Sequence, residues 1–228
     1  MNEIAEIVKE IKNLLEFQAV LGAKNYPKEL LTLMPRGKRT LAEQAAERAD
    51  CRLCGLHESR NKVVFGAGDP NANLLIVGEA PGAEEDRTGI PFVGRAGGLL
   101  TKILASIKFS RDEVYIANVL KCRPPGNRDP QPAEVEACEP FLKEQIETIQ
   151  PKLICALGAH AARTLLKLGS STSIGSLRGA LHNYHGVPLI ATYHPAYLLR
   201  SPGKKRDTWE DVQFLRREYD RIMSGDAK

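Results

Sequence analysis

Cys51 and Cys54 form a C-x-x-C pair, and single cysteines return at Cys122 and Cys138. A C-x-x-C pair turns two thiols inward on one loop, and two thiols from distant segments complete a four-sulfur shell around one ion or cluster. Such a shell forces segments that are far apart in sequence to meet. The total of five cysteines is odd, and the chain opens Met-Asn-Glu with no basic n-region followed by an apolar run. No stretch is apolar enough for long enough to span a membrane. These features point to a metal centre in a reducing cytoplasm, not to a disulfide framework. The spacing by itself suits zinc and iron–sulfur equally. The fifth cysteine, Cys155, lies in the apolar run Leu153–Leu157 and reads as a core residue.

With 228 residues, 43% of them hydrophobic, the chain is long enough for one substantial core plus a small appendage. Ile4, Ile7, Val8, Ile11, Leu14 and Leu15 recur at three- and four-residue intervals, which predicts an amphipathic helix over residues 2–18. Residues 27–40 carry Pro, Gly and basic side chains and read as a linker. We therefore divide the chain into an N-terminal extension, residues 1–45, and a main domain, residues 46–228. In the main domain short apolar runs alternate with helical patterns. Strands are expected at Leu74–Val77, Val114–Ala117, Leu153–Leu157 and Val187–Thr192, with helices at Gly97–Ile107, Pro132–Ile149, Ala159–Leu168 and Thr208–Met223. Strands separated by helices make a mostly parallel sheet covered on both faces.

Ligands of such sheets bind beyond the carboxyl ends of the strands. The first expected strand runs into Gly78-Glu79-Ala80-Pro81-Gly82, the second into Asn118, the third into Gly158-Ala159-His160 and the fourth into Tyr193-His194-Pro195. A carboxylate, an amide and an imidazole thus converge on one rim. The glycine-rich turn lacks both G-x-G-x-x-G and a terminal G-K-[ST], which argues against a phosphate loop. The net charge is +4, and basic residues gather at Arg200, Lys204, Lys205 and Arg206 around Ser201-Pro202-Gly203, read as a basic loop suited to an anionic partner.

Three segments resemble the family 4, iron–sulfur type of uracil-DNA glycosylase. They are Gly78 to Asp86 followed by Thr88 to Gly94, then Asn118 to Pro125, then His194 to Arg200. The similarity spans about residues 47 to 222. It implies a three-layer α/β/α fold around about four strands, a 4Fe–4S cluster held by Cys51, Cys54, Cys122 and Cys138, and hydrolysis of the N-glycosidic bond of a uracil flipped out of single- or double-stranded DNA. The cluster's implied role is structural.

The same resemblance implies that Phe92 stacks on uracil and that the Asn118 amide reads its O4/N3 edge. Glu85 is expected to crowd C5 and exclude thymine, and His194 to donate to O2 as negative charge develops there. Leu198 is the expected apolar wedge, and Arg200, Lys204, Lys205 and Arg206 are expected to meet phosphates. Better-known uracil glycosylases place a water-positioning aspartate where this chain has Ala80, leaving Glu79 or a backbone carbonyl for that task. A related family forms a covalent adduct through a histidine between the third and fourth cysteines; this chain has none there, so hydrolysis is expected. The expected state is a monomer, with the extension open to a replication or repair partner. Two other classes compete: a non-catalytic zinc- or cluster-binding nucleic-acid module, and an iron–sulfur electron carrier, the latter poorly matched by cysteines so widely dispersed.

Overall fold

The computed structural model describes residues 39–225. The expected helix over residues 2–18 and most of the linker lie outside them. From Thr40 onward the chain forms one compact unit. It begins with helix α1 (Leu41–Arg48), which Thr40 and Glu43 start as a reciprocal capping box. Leu41 joins the core and Gln44 donates to the Thr148 hydroxyl at 2.7 Å. The packed unit thus starts ahead of the expected boundary at residue 46.

Four central strands, β2 (Leu74–Gly78), β3 (Tyr115–Asn118), β4 (Leu153–Leu157) and β6 (Val187–Thr192), are mutually parallel in the order β3-β2-β4-β6. Short strands β1 (Ala67–Gly68) and β5 (Leu181–Tyr184) close the two edges in antiparallel sense, giving a six-stranded sheet among the described residues. β2, β3 and β4 are buried along their whole length because helices cover both faces. Period-two alternation divides the strand residues between two cores. Leu75, Val77, Ile154 and Ala156 pack in one core with residues of α1, α4 (Pro132–Ile149) and α5 (Ala159–Leu166). Leu74, Ile76, Leu153 and Cys155 pack in the other with residues of α3 (Arg95–Ser106) and α8 (Lys205–Met223). Cys155 takes the core place its sequence context predicts.

The remaining helices are short: α2 (Ala83–Thr88), α6 (Ile174–Leu177) and α7 (Pro195–Arg200). α2 and α7 begin just past β2 and β6, so the segments after Gly78 and Thr192 turn back as helices at the sheet's carboxyl end. A buried polar network holds this end in place. Asp211 of α8 accepts from the Thr192 hydroxyl at 2.5 Å and from the Arg178 guanidinium at 2.6 and 3.0 Å. The Arg178 guanidinium also lies over the Tyr193 ring, one residue before His194.

Candidate active site

A cavity of about 350 Å³ opens at the carboxyl ends of the parallel strands, within the size range of small-molecule sites. Of the expected residues, Glu79, Ala80, Glu85, Phe92, Asn118, His194 and Arg200 all line it. They arrive from the turn after β2, from α2 and the segment that follows it, from the end of β3, and from the β6–α7 junction and α7 itself.

Asn118 ends β3 in register with Gly78 of β2. Its side chain is 1% exposed, and its amide oxygen has no hydrogen-bond partner. An unmet acceptor in the interior costs about 1–3 kcal/mol, a penalty that a ligand N–H relieves. Gly78 makes the approach of its neighbours possible. A Cβ there would stand 2.3 Å from the Asn118 amide oxygen and 2.6 Å from Cζ of Phe92.

Phe92 adopts the left-handed backbone conformation, φ 54°, which is unfavourable for a bulky residue. Glu85 supplies the compensation. One carboxylate oxygen accepts the Val93 and Gly94 amides at 2.9 and 3.0 Å, and the other accepts the Gly82 amide at 3.1 Å. Both oxygens of Glu85 are thus engaged in fixing the turn that presents Phe92. The expected role for Glu85, crowding C5, sits beside a structural one that the sequence did not show.

His194 caps α7: its Nδ1 accepts the Ala196 amide at 3.1 Å. An imidazole that accepts at Nδ1 carries its proton on Nε2. Burial, reinforced by the Arg200 charge, lowers its pKa to about 4, so the ring is neutral at pH 7 and presents an Nε2–H donor. The ring lies 5.5 Å from that of Phe92, centroid to centroid, tilted by 33°.

At the rim, Glu79, Asp129 and His160 bring one ligating atom each to within 4.8 Å of the others. Glu79 follows β2, His160 is the second residue of α5, and Asp129 comes from the segment before α4. Burial raises the Glu79 pKa; the Asp129 charge raises it further, while His160 and Arg163 lower it. His160 occupies a strand end that the sequence marks. Asp129 carried no signal beyond its place between Cys122 and Cys138.

Two expectations for the DNA face need correction. Leu198 is 1% exposed, since α7 turns it into the interior. The exposed apolar side chains of that helix are Tyr197 and Leu199, at 36% and 38%. The basic group is also no open loop. Arg200 closes α7, Lys204 ends a 3₁₀ turn, and Lys205 and Arg206 begin α8. Lys204 pairs with Asp207 at 3.0 Å, and Arg206 with Glu210 at 3.5 Å. These three residues lie outside the cavity lining, unlike Arg200.

Cys51, Cys54, Cys122 and Cys138 line a second, small pocket. Arg60 contacts the Cys122 sulfur at 3.6 Å and donates to the Cys51 carbonyl at 2.5 Å, while the Lys121 amide donates to the Cys138 sulfur at 3.2 Å. Donors aimed at sulfur suit thiolates that ligate a metal. A four-thiol donor set of this kind fits a metal ion or a cluster. Lys121 joins the two pockets: its buried ammonium donates to the Asn118 carbonyl at 2.8 Å and also to the Gln145 side chain.

The family model of the uracil DNA glycosylase superfamily matches residues 65–214. A type-4 uracil-DNA glycosylase of Archaeoglobus fulgidus is 44% identical over 180 residues, 76% of this chain and 90% of the relative. One from Thermotoga maritima is 44% identical over 189 residues, 79% of this chain and 98% of the relative. A type-5 uracil-DNA glycosylase of Pyrobaculum aerophilum is 36% identical over 152 residues, 60% and 67% of the two chains. With the strand-end cavity and the four-cysteine pocket, these similarities show that the chain belongs to the uracil DNA glycosylase superfamily and, within it, to the type-4 uracil-DNA glycosylases.

Proposed function

We propose that this protein removes uracil from DNA by hydrolysing its N-glycosidic bond, leaving an abasic site, and that it does so in the cytoplasm. The observation that carries the reading is the unsatisfied Asn118 amide oxygen, buried beside the Phe92 ring and an Nε2–H donor on His194. The Asn118 oxygen suits uracil N3–H and its NH₂ suits O4. Cytosine presents N3 as an acceptor and N4 as a donor, so the same amide repels it. Phe92 supplies the face on which the flipped base stacks. His194 donates to O2, where charge accumulates as the bond to the sugar lengthens. A neutral donor suffices there, and burial keeps it neutral. Glu79, on the cavity rim, is the side chain we assign to the attacking water, since Ala80 has no polar group to offer.

Cys51, Cys54, Cys122 and Cys138 would hold the 4Fe–4S cluster, which supplies a rigid cross-link and no redox step. Cys122 lies four residues beyond Asn118, so this brace and the base-reading amide share one segment. Arg200 and Tyr197 line the cavity's α7 side and Leu199 is exposed on the same helix; these are the residues we assign to the DNA strand. Residues 1–39, ahead of the packed unit, are the part we assign as an extension to a monomeric catalytic unit, open to a replication or repair partner.

The test is incubation with uracil-containing single- and double-stranded oligonucleotides followed by alkaline cleavage at abasic sites. Scission only where uracil stood is the expected result. Tight binding without scission would favour a non-catalytic nucleic-acid module.

A further inference from the structure

The base pocket accounts for departure of uracil and Glu79 for the attacking water, and this inference rests on that assignment of Glu79. We propose that His160 and Asp129 are positioning residues for the hydrolytic half of the reaction, forming with Glu79 a carboxylate–imidazole–carboxylate array that orients Glu79 toward the attacking water.

Three features carry it. Glu79, His160 and Asp129 come from three separate segments, yet one polar atom of each falls within 4.8 Å of the other two. Glu79 and Asp129 line the same cavity as Asn118 and His194. His160 Nε2 approaches Asp129 Oδ2 at 3.5 Å, so the imidazole stands against one exposed carboxylate and within 4.8 Å of a second, half-buried one.

In the step itself, the C1′–N1 bond breaks and its electron pair leaves with the uracil ring. The water oxygen bonds to C1′, and one water proton passes to the Glu79 carboxylate and on to solvent. The uracil anion takes up a proton from solvent, so one water is consumed for each uracil released. Glu79 must be ionised to accept that proton. Burial disfavours its ionised form, Asp129 opposes it further, and His160 and Arg163 favour it. The other charged groups around the cavity are Glu85, Arg128 and Arg200, with the neutral His194. Of these, Arg128 is held by Glu134 and Glu85 by its three backbone amides.

His160 and Asp129 therefore act on Glu79 with opposite signs, and a purely structural role has no such signature. The experiment is single-turnover excision from a single-stranded uracil oligonucleotide in EDTA, from about pH 4 to 8, for the wild type and for Glu79→Gln, His160→Gln and Asp129→Asn. His160 is half-buried and Asp129 exposed, so these two substitutions leave the core intact. The wild type is expected to lose rate on the acid side as Glu79 takes up a proton. His160→Gln moves that limb to higher pH and Asp129→Asn moves it to lower pH, each pH unit of movement being a tenfold change in rate at fixed pH on the limb. Glu79→Gln is slow and lacks the limb. If Glu79→Gln is slow but the other two leave the limb in place, or shift it the same way, the array is refuted while Glu79 stands. If the wild type excises uracil and Glu79→Gln keeps its full rate and limb, the assignment of Glu79 falls, and the array with it.

Discussion

Replacing Glu85 by alanine separates two accounts of this residue, a screen against thymine and a lock on the turn that carries Phe92. The carboxylate accepts three backbone amides at 2.9, 3.0 and 3.1 Å. Hydrogen bonds to a charged group are worth roughly 1.5–3 kcal/mol each, and amides left at a partly open rim regain some of that from water. A left-handed phenylalanine adds strain of about 1 kcal/mol or more, which the turn then has less to resist with. We expect Glu85→Ala to cost about 2–4 kcal/mol, a fall in melting temperature of roughly 5–15 °C for a unit of this size. Relaxation of the turn moves Phe92, and a shift of about 1 Å at the site is worth roughly a hundredfold in rate. Glu85→Gln keeps an oxygen for the Val93 and Gly94 amides and loses only the Gly82 bond, so a loss of about 1 kcal/mol and less than tenfold in rate is expected. Thermal melts together with single-turnover excision of uracil and of thymine read both effects. A Glu85→Ala protein with wild-type melting temperature and uracil rate, and new activity on thymine, would refute the turn lock and restore the screen.

Gly78→Ala forces a Cβ to within 2.3 Å of the Asn118 amide oxygen and 2.6 Å of the Phe92 ring; a loss of about a hundredfold or more in excision is expected, and an unchanged rate would show that the pocket floor yields. His194 has a folded pKa of about 4, below its unfolded value of 6.5. The unfolded chain therefore gains a proton first as pH falls. The stability this group contributes is complete above pH 6.5 and is lost between there and pH 4, by about 3 kcal/mol at most. Melting curves of the wild type and His194→Gln at pH 7.5, 5.5 and 4.5 measure it, and equal slopes for the two would contradict the shift. Leu198→Ala should cost about 2–5 kcal/mol as a cavity mutation. Leu199→Ala should leave the melting temperature alone and slow excision more on duplex than on single-stranded DNA; the reverse pattern would return the wedge to Leu198.

Much of this was legible in the chain. All four central strands lie within a residue of their expected bounds, because sheets covered on both faces demand continuous apolar runs, which leave a plain pattern. The strand-end rule then singled out Glu79, Asn118, His160 and His194, since parallel strands deliver the residues that follow them to one edge. The edge strands β1 and β5 were missed. β1 has two residues, and β5, Leu-His-Asn-Tyr, buries only its last. The basic stretch was read as a loop because Ser201-Pro202-Gly203 breaks a helix, yet Pro202 opens a 3₁₀ turn and α8 follows at once. Leu198 and Leu199 are neighbours of the same chemistry, and only the rotation of α7 decides which one faces inward.

The sequence by itself determined the layered fold and the thiol set, together with the residue types gathered at the sheet's carboxyl edge, because periodicity and spacing are local properties written directly in the chain. Only the tertiary structure decided how those residues are held: the amide oxygen of Asn118 left without a partner, the proton of His194 placed on Nε2, both oxygens of Glu85 engaged by a strained turn, and Asp129 drawn to Glu79 and His160. Hydrogen-bond partners, burial and distance depend on where segments up to a hundred residues apart come to rest, and no local pattern records that.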